Sequence, residues 1–543
     1  MSMKRNVIIL ALALACAGAN AQNLNPTVEV TNTYVREAGG IEKPAQLFQV
    51  PDSVKHFNLN FDYSVMSTPY MGAYEFKPYL VQLRPMARPG SESTLFVRIG
   101  AGWTLNPEAS IIWTPVKTRK FRLNVYADHN SYWGQYRNIN LKDDVFIADG
   151  YHAIRGGDSR TVAGVNTLLG WSSGSFTADL HYRNIFADSP MAGTCTNNSA
   201  HFNARVQGNP EAAFVYGVGT NVSYLGAGEF EELHSYTDGS FAAHIGSHNF
   251  GLDAGVETIT NSGNTAVDLA LTPRYILDIG GMHMRLGVKF SYIFSSDDAF
   301  YAGKSDFVFP DVHIHYNAIP KSLVLQLAVT GGDHLNQYTD LLETNHFLHA
   351  FQHGTMDNTV ERVNVMLGVR GNVAERFSYD LKVGYAHWKN AFLWSYQAGG
   401  TVGYGYADKY NQFYTDLQMG YLSSYLDIDS HLLVRLNDIQ AANLFQPPLV
   451  AGKLNALYNW GDRIKAGISV DGQSDRIAIK NFEKGTCYTL PGYVDLGLYG
   501  SLQMTGNLGF WLKVGNLLNQ TVQRVPLYAE KGIYFTVGAT WNL

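Results

Sequence analysis

From Ile533 to the last residue, apolar and polar positions alternate without a break. Ile533, Phe535, Val537, Ala539, Trp541 and Leu543 fall on one side; Tyr534, Thr536, Gly538, Thr540 and Asn542 fall on the other. A period of two belongs to a β-strand with one apolar and one polar face. The same beat runs through "FNLNFDYSV" (57–65), "KFRLNVYADH" (120–129), "GMHMRLGVKFSY" (281–292), "SLVLQLAVT" (322–330) and "GYVDLGLYGSLQM" (492–504). In these runs Arg122, Asp128, His283, Arg285, Lys289 and Asp495 occupy the polar face in mid-strand.

Run length decides what the alternation is for. Strands of soluble sandwiches average about 5–6 residues, whereas a membrane-crossing strand needs about 9–11. The runs here are of the longer kind, and charges in the middle of a strand suit a water-filled lumen behind a lipid-facing apolar side. Gly and Asn in "NSGN" (261–264), "GNVAER" (371–376), "NWGDR" (459–463) and "TGNLG" (505–509) supply tight turns. Residues 134–157, 188–199, 225–240, 296–305, 334–358 and 471–491 read as long loops. Short turns at one end and long loops at the other is the outer-membrane pattern. The expected fold is therefore all-β: a transmembrane antiparallel β-barrel of 22 strands, within a range of 18–22, over 57–543. A barrel closes by pairing its last strand with its first. That gives Phe535, Trp541 and Leu543 a role in closure.

Composition sharpens the class. Only 16% of residues are charged, below the usual quarter or so, and 13% are aromatic. After residue 22 no apolar run reaches the 18 residues of a membrane helix. "MSMKRNVIILALALACAGANAQN" has a charged start, a short apolar run and Ala19-Asn20-Ala21, so residues 1–21 read as an export signal and 22–56 as a short periplasmic segment. Removing Lys4 and Arg5 takes the Lys+Arg count from 40 to 38 against 46 Asp+Glu, a net charge of −8. With no basic block, nucleic acid is excluded as a partner. Cys195 and Cys487 would remain, able to form one disulfide or to stay single.

The chain end carries a resemblance. "KVGNLLNQ" (513–520) followed by "PLYAEKGIYFTVGATWNL" (526–543) resembles the end of TonB-dependent outer-membrane receptors. Val514, Asn516, Leu517, Leu518, Asn519, Tyr528, Gly532 and Gly538 match that pattern, and Leu543 stands where the family closes on Phe. The resemblance implies an outer-membrane location in a Gram-negative bacterium and a part in solute uptake. It also implies a plug domain ahead of the barrel, several times longer than segment 22–56, so the plug is expected to be absent. The barrel would then work as a large channel, or be occluded by its own loops or a separate protein. The alternative function is a non-transporting scaffold in a multi-protein complex. Expected partners are outer-membrane lipid, the barrel-assembly machinery and an occluding or surface lipoprotein.

Candidate chemistry is sparse. Arg122, Asp128, His283, Arg285, Lys289 and Asp495 are the lumen-lining residues placed to meet a solute, or to pair with one another. The loop "GGDHLNQYTDLLETNHFLHAFQHGT" (331–355) holds His334, His346, His349 and His353; the last three would share one helical face and could ligate a metal with Glu343. His313 and His315 share one strand face. No arrangement of nucleophile and base stands out, so neither an enzyme nor a cofactor is expected.

Overall fold

Alternation on this scale produces a sheet that closes on itself. The computed structural model describes residues 94–543 except 138–139, 143–144, 148–152, 190–192, 210–211, 246–247, 262, 297–305, 321, 349–355, 375, 397–401, 440–443, 482–485 and 527. Within it, 22 strands form one antiparallel sheet, each bonded to its sequence neighbour around the ring. The first, Leu95–Trp103, pairs on one side with Glu108–Lys117 and on the other with the last, Tyr534–Asn542. The ring is therefore closed and has no free edge, as a barrel in lipid requires. The expected signal, the segment 22–56 and the run at 57–65 lie outside the described residues.

The seam joins the last strand to Leu95–Trp103, whereas the barrel expected from alternation begins at 57. Phe535 lies opposite Trp103, and Trp541 opposite Val97. Leu543 donates its N–H to the Leu95 carbonyl at 2.8 Å and accepts the Leu95 N–H at 3.1 Å. All three closure residues turn their side chains to the outside.

The two faces of each strand differ as membrane and lumen should. Along Met282–Ser295, Leu286, Val288 and Tyr292 are 39%, 41% and 51% exposed, while Arg285 and Lys289 on the other face are 7% and 9%. The apolar side is the outer one, and aromatic residues gather on it toward both rims. Trp460 and Trp541 lie near the short-turn end; Trp103, Phe294 and Phe535 lie near the other. Such paired girdles mark the two lipid–water boundaries. Among the described residues no helix is long and apolar enough to cross a membrane.

The turns at 371–376, 459–463 and 505–509 sit at the end where Leu95 and Leu543 lie. In the three-residue loop 461–463, Gly461 and Asp462 take positive φ values (59° and 57°), and the Arg463 N–H donates to the Trp460 carbonyl at 3.2 Å. The turn at 261–264 is as tight as expected, with Gly263 at φ 92°, but lies at the opposite end, among the long loops. Two expected long loops there are also strand. Residues 188–189 end the strand Gly174–Ser189 and 193–199 begin its partner Gly193–Gly208, and 225–240 belong to Phe214–Ala227 and Phe230–Ile245. These strands have 14 to 16 residues and outgrow the bilayer. Beyond the outer girdle their alternation inverts. Glu231 faces out, while Ile185, Ala187, Leu225, Ala227 and Phe230 are buried on the inside.

Candidate functional site

The inner wall holds most of the expected solute contacts, already paired. Arg285 donates to Asp311 at 2.8 Å and to Asp253 at 3.3 Å. Asp253 also accepts from Arg274, whose second Nη donates to Ser240 at 2.8 Å, and His313 is 3.1 Å from Asp311. Asp128 accepts the Ser110 hydroxyl at 2.6 Å. His283 meets Asp278 at 2.5 Å beside the ring of His315, near the short-turn rim. Arg122 lies at that rim too, apart from the others, in the strand Phe121–Arg137. Lys289 is buried against Gly332, where a Cβ would come within 2.6 Å of its Nζ. Asp495 accepts the Asn516 N–H at 3.0 Å and Arg524 at 2.9 Å. Arg524 belongs to the segment 516–533 and also engages Asp471 and Glu530. Burial works against its charge, but Glu530 and Asp471 outweigh it and hold its pKa well above the ordinary guanidinium value.

The outer end of the lumen is different. Beyond the strand Leu323–Leu335, which precedes Asn358–Val373 in the ring, the chain turns inward and forms a helix, Tyr338–Thr344. Its apolar residues Tyr338, Leu341 and Leu342, with Leu348 and Met356, pack on inward-facing Ile185, Leu225, Ala227 and Phe230. Phe392, Trp394 and Tyr404 of the hairpin Ala391–Tyr396 and Val402–Ala407 complete the cluster. Tyr338 meets Phe230 edge to face at 4.6 Å, and its hydroxyl lies 2.7 Å from that of Tyr404. Polar contacts fix both ends of the helix. The fully buried Glu232 carboxylate accepts the N–H groups of Tyr338 (2.9 Å) and Thr339 (3.1 Å) and the Thr339 hydroxyl (3.1 Å). At the other end, Glu343 pairs with Arg183.

The segment then reaches farther. Phe347 packs against Tyr136 of the strand Phe121–Arg137 and stacks on Tyr528 at 5.5 Å and 11°. Two loops from distant points of the ring thus meet over the lumen. The Cys195 thiol is free and buried there, donating to the His346 carbonyl at 3.5 Å.

No family model and no curated protein matches the sequence. Solved structures match the fold. The chain is similar to the ferric-catecholate import receptor Fiu from E. coli K12, with 10% identity, a TM-score of 0.59 and cover of 84% of this chain and 82% of that one. It is similar to the siderophore receptor PirA from Acinetobacter baumannii (9%, 0.61, 84% and 81%). The pyoverdine outer membrane receptor FpvA from Pseudomonas aeruginosa PAO1 is a third such structure (10%, 0.60, 84% and 79%). The chain has the fold of the TonB-dependent receptor barrel. Its exposed apolar outer face is the kind of surface that such barrels turn to lipid.

The helix that would align His346, His349 and His353 stops at Thr344, because the Asn345 carboxamide turns back to accept the Phe347 N–H at 3.1 Å. His346 therefore lies beyond the helix, its ring 4.0 Å from that of Phe347. Its burial outweighs the pull of Asp158 and Glu530 and lowers its pKa from the usual imidazole value. His349 and His353 lie outside the described residues. Among those described, no group of His, Cys, Asp and Glu is placed to hold a metal. His334 is the penultimate residue of the strand before the helix, and Glu343 is engaged by Arg183.

Sequence reasoning missed Glu232, Arg183, Asp253, Asp311 and Arg524. A signal for the first two was present. "YTDLLETNHFL" (338–348) is too apolar for a solvated loop, and "FEEL" (230–233) places Phe230 and Glu232 on the inward face.

Proposed function

We propose that the barrel takes part in solute uptake through its lumen, and that its own segment 335–348 closes the outer mouth. The observation that carries this is the docking of that segment across the lumen by Glu232, Arg183 and the Phe347–Tyr528 stack. The closure expected of loops or of a separate protein is then supplied by the chain itself. The structural neighbours support transport in general terms, since they are described as import and siderophore receptors. They lend nothing to the scaffold alternative. Insertion by the barrel-assembly machinery follows from the fold class. A separate occluding lipoprotein is not required.

Single-channel recording tests the reading. The full chain is expected to conduct weakly. A variant with 337–356 replaced by a short Gly/Ser linker is expected to give large, stable steps. If that variant reaches the folded, heat-modifiable form and stays silent, the uptake reading falls.

A further inference from the structure

The recess that receives the helix has the chemistry of a binding site. A water-filled barrel presents polar side chains inward. Here the wall instead presents Ile185, Leu225 and Phe230, faced by the half-buried aromatics Phe392 and Trp394. A charged group of opposite sign stands at each side of this apolar patch. Strand register fixes their spacing. Arg183 lies opposite Ser199, Ser199 opposite Leu225, and Leu225 opposite Glu232. The two charges occupy one row across four strands, three spacings or about 14 Å apart at the backbone. Both side chains lean inward over the helix, where they hold groups five residues apart, about 7.5 Å along its axis.

The occupant meets these demands unevenly. Glu343 gives Arg183 a full counter-charge. Among the described residues, fully buried Glu232 takes its hydrogen bonds from the N–H groups of Tyr338 and Thr339, the Thr339 hydroxyl and the Asn261 amide, all neutral donors. A buried carboxylate is better satisfied by a cationic donor than by neutral ones. Nearby His234 is engaged by Glu257 at 2.8 Å.

We propose that this recess is a binding site for short peptides with a free amino terminus, apolar side chains and a free carboxyl terminus, and that segment 338–348 occupies it as a built-in surrogate. The ammonium would sit on Glu232 and the carboxylate on Arg183. The residues between would lie on the Ile185–Leu225–Phe230 wall. The span suits about three residues, since an extended chain advances about 3.3 Å per residue. Opposite charges across an apolar patch favour a zwitterionic peptide over a sugar, which brings no charge, and over a simple anion, which would leave Glu232 unanswered. This names a substrate class for the uptake reading and rests on it for its purpose. The binding test does not depend on transport.

The test is calorimetric titration of the detergent-solubilised full chain with the tripeptide Tyr-Leu-Leu, its N-acetylated form and its C-amidated form. The same titrations are run on a variant whose residues 337–348 are replaced by Gly/Ser of equal length. The variant should bind the free tripeptide at least about tenfold more tightly than the unmodified chain, because the competing segment is gone, and either cap should weaken binding by about tenfold or more. Within the variant background, Glu232→Gln should abolish discrimination against the acetylated form, and Arg183→Gln discrimination against the amidated form. Equal affinity for free and capped peptides, or no binding by the folded variant, overturns the proposal. Should the replacement fail to fold, Glu343→Ala in the full-length chain releases Arg183 and must by itself strengthen tripeptide binding; no gain overturns the proposal equally. Conductance of the same preparation separates the two ideas. A conducting variant that ignores the peptide sinks the peptide site alone, and a silent variant that binds it sinks the uptake reading alone.

Discussion

Two stretches of the inner wall follow the same strand geometry and do opposite things with charge. In the sector from His248–Asn261 to Val308–Ile319, Arg274 and Arg285 are answered by Asp253 and Asp311 of neighbouring strands. At the outer end of the strands Gly174–Ser189 and Phe230–Ile245, Arg183 and Glu232 are answered by a loop, 160 and 106 residues away in sequence. The first arrangement is part of the barrel and lasts as long as the barrel does. The second can be undone by moving one segment. Charge answered by wall makes a permanent lining; charge answered by a loop makes a closure that can exchange.

The hardest break in that comparison is to remove the segment. Replacing 337–356 should leave the ring and its wall pairs intact, because none of Arg274, Arg285, Asp253 or Asp311 touches the loop through these bonds. Conductance should rise at least about tenfold while heat-modifiable mobility is kept. Next comes Glu232→Ala, which removes the acceptor of three bonds to the helix start. Hydrogen bonds to a charged group contribute about 1.5–3 kcal/mol each, and removing a buried carboxylate returns part of that. A net loss of about 3 kcal/mol, or roughly a hundredfold in the docked-to-released ratio, is expected. Hydrogen exchange at 338–348 reads it. The matching substitution in the wall, Asp311→Ala, should leave exchange in that segment unchanged.

How far the sequence showed this division follows from where each signal resides. The closing strand and the inward side of Arg285, Lys289 and Asp495 are local, because a two-residue period assigns every side chain to a face. The pairing of that closing strand with Leu95–Trp103 is not local, and alternation alone starts the barrel at 57 instead. The inverted alternation above the outer girdle hid two hairpins. A strand with its apolar side inward and Glu231 outward does not look like a membrane strand, so 188–199 and 225–240 read as loops. The docking of 338–348 on Glu232 is a contact across the lumen between distant segments, and no local period encodes it. Only the unusual apolarity of that loop hints at it.

A gentler perturbation uses His346, which rides on the docked segment next to Phe347. Its docked pKa lies below the ordinary value of about 6.5, so docking gains its full contribution above that value and loses it as pH falls. Asp158 and Glu530 favour the proton, while Lys531 and Arg160 oppose it alongside burial. Release of the segment should therefore grow as pH drops below about 6.5, by at most about tenfold per unit. His346→Gln should flatten the dependence. A pH-independent exchange rate in the unmodified chain would contradict this.

The smallest effect tests whether the two loops over the lumen act together. Phe347 and Tyr528 stack face to face, and they join the inward segment to the segment 516–533, which Arg524 ties to wall carboxylates Asp471 and Asp495. Aromatic pairs contribute about 0.5–1.5 kcal/mol beyond the area they bury. A cycle of Phe347→Leu, Tyr528→Leu and the double variant, read by exchange at 338–348, should return a coupling of about 1 kcal/mol. Arg524→Gln should lower that coupling, because it frees Tyr528's segment from the wall while leaving both rings in place. If the coupling is zero, the closure is one loop resting on the barrel. If it survives at full strength in Arg524→Gln, the second loop holds the first without help from the charged lining, and the permanent and exchangeable parts of the wall are independent.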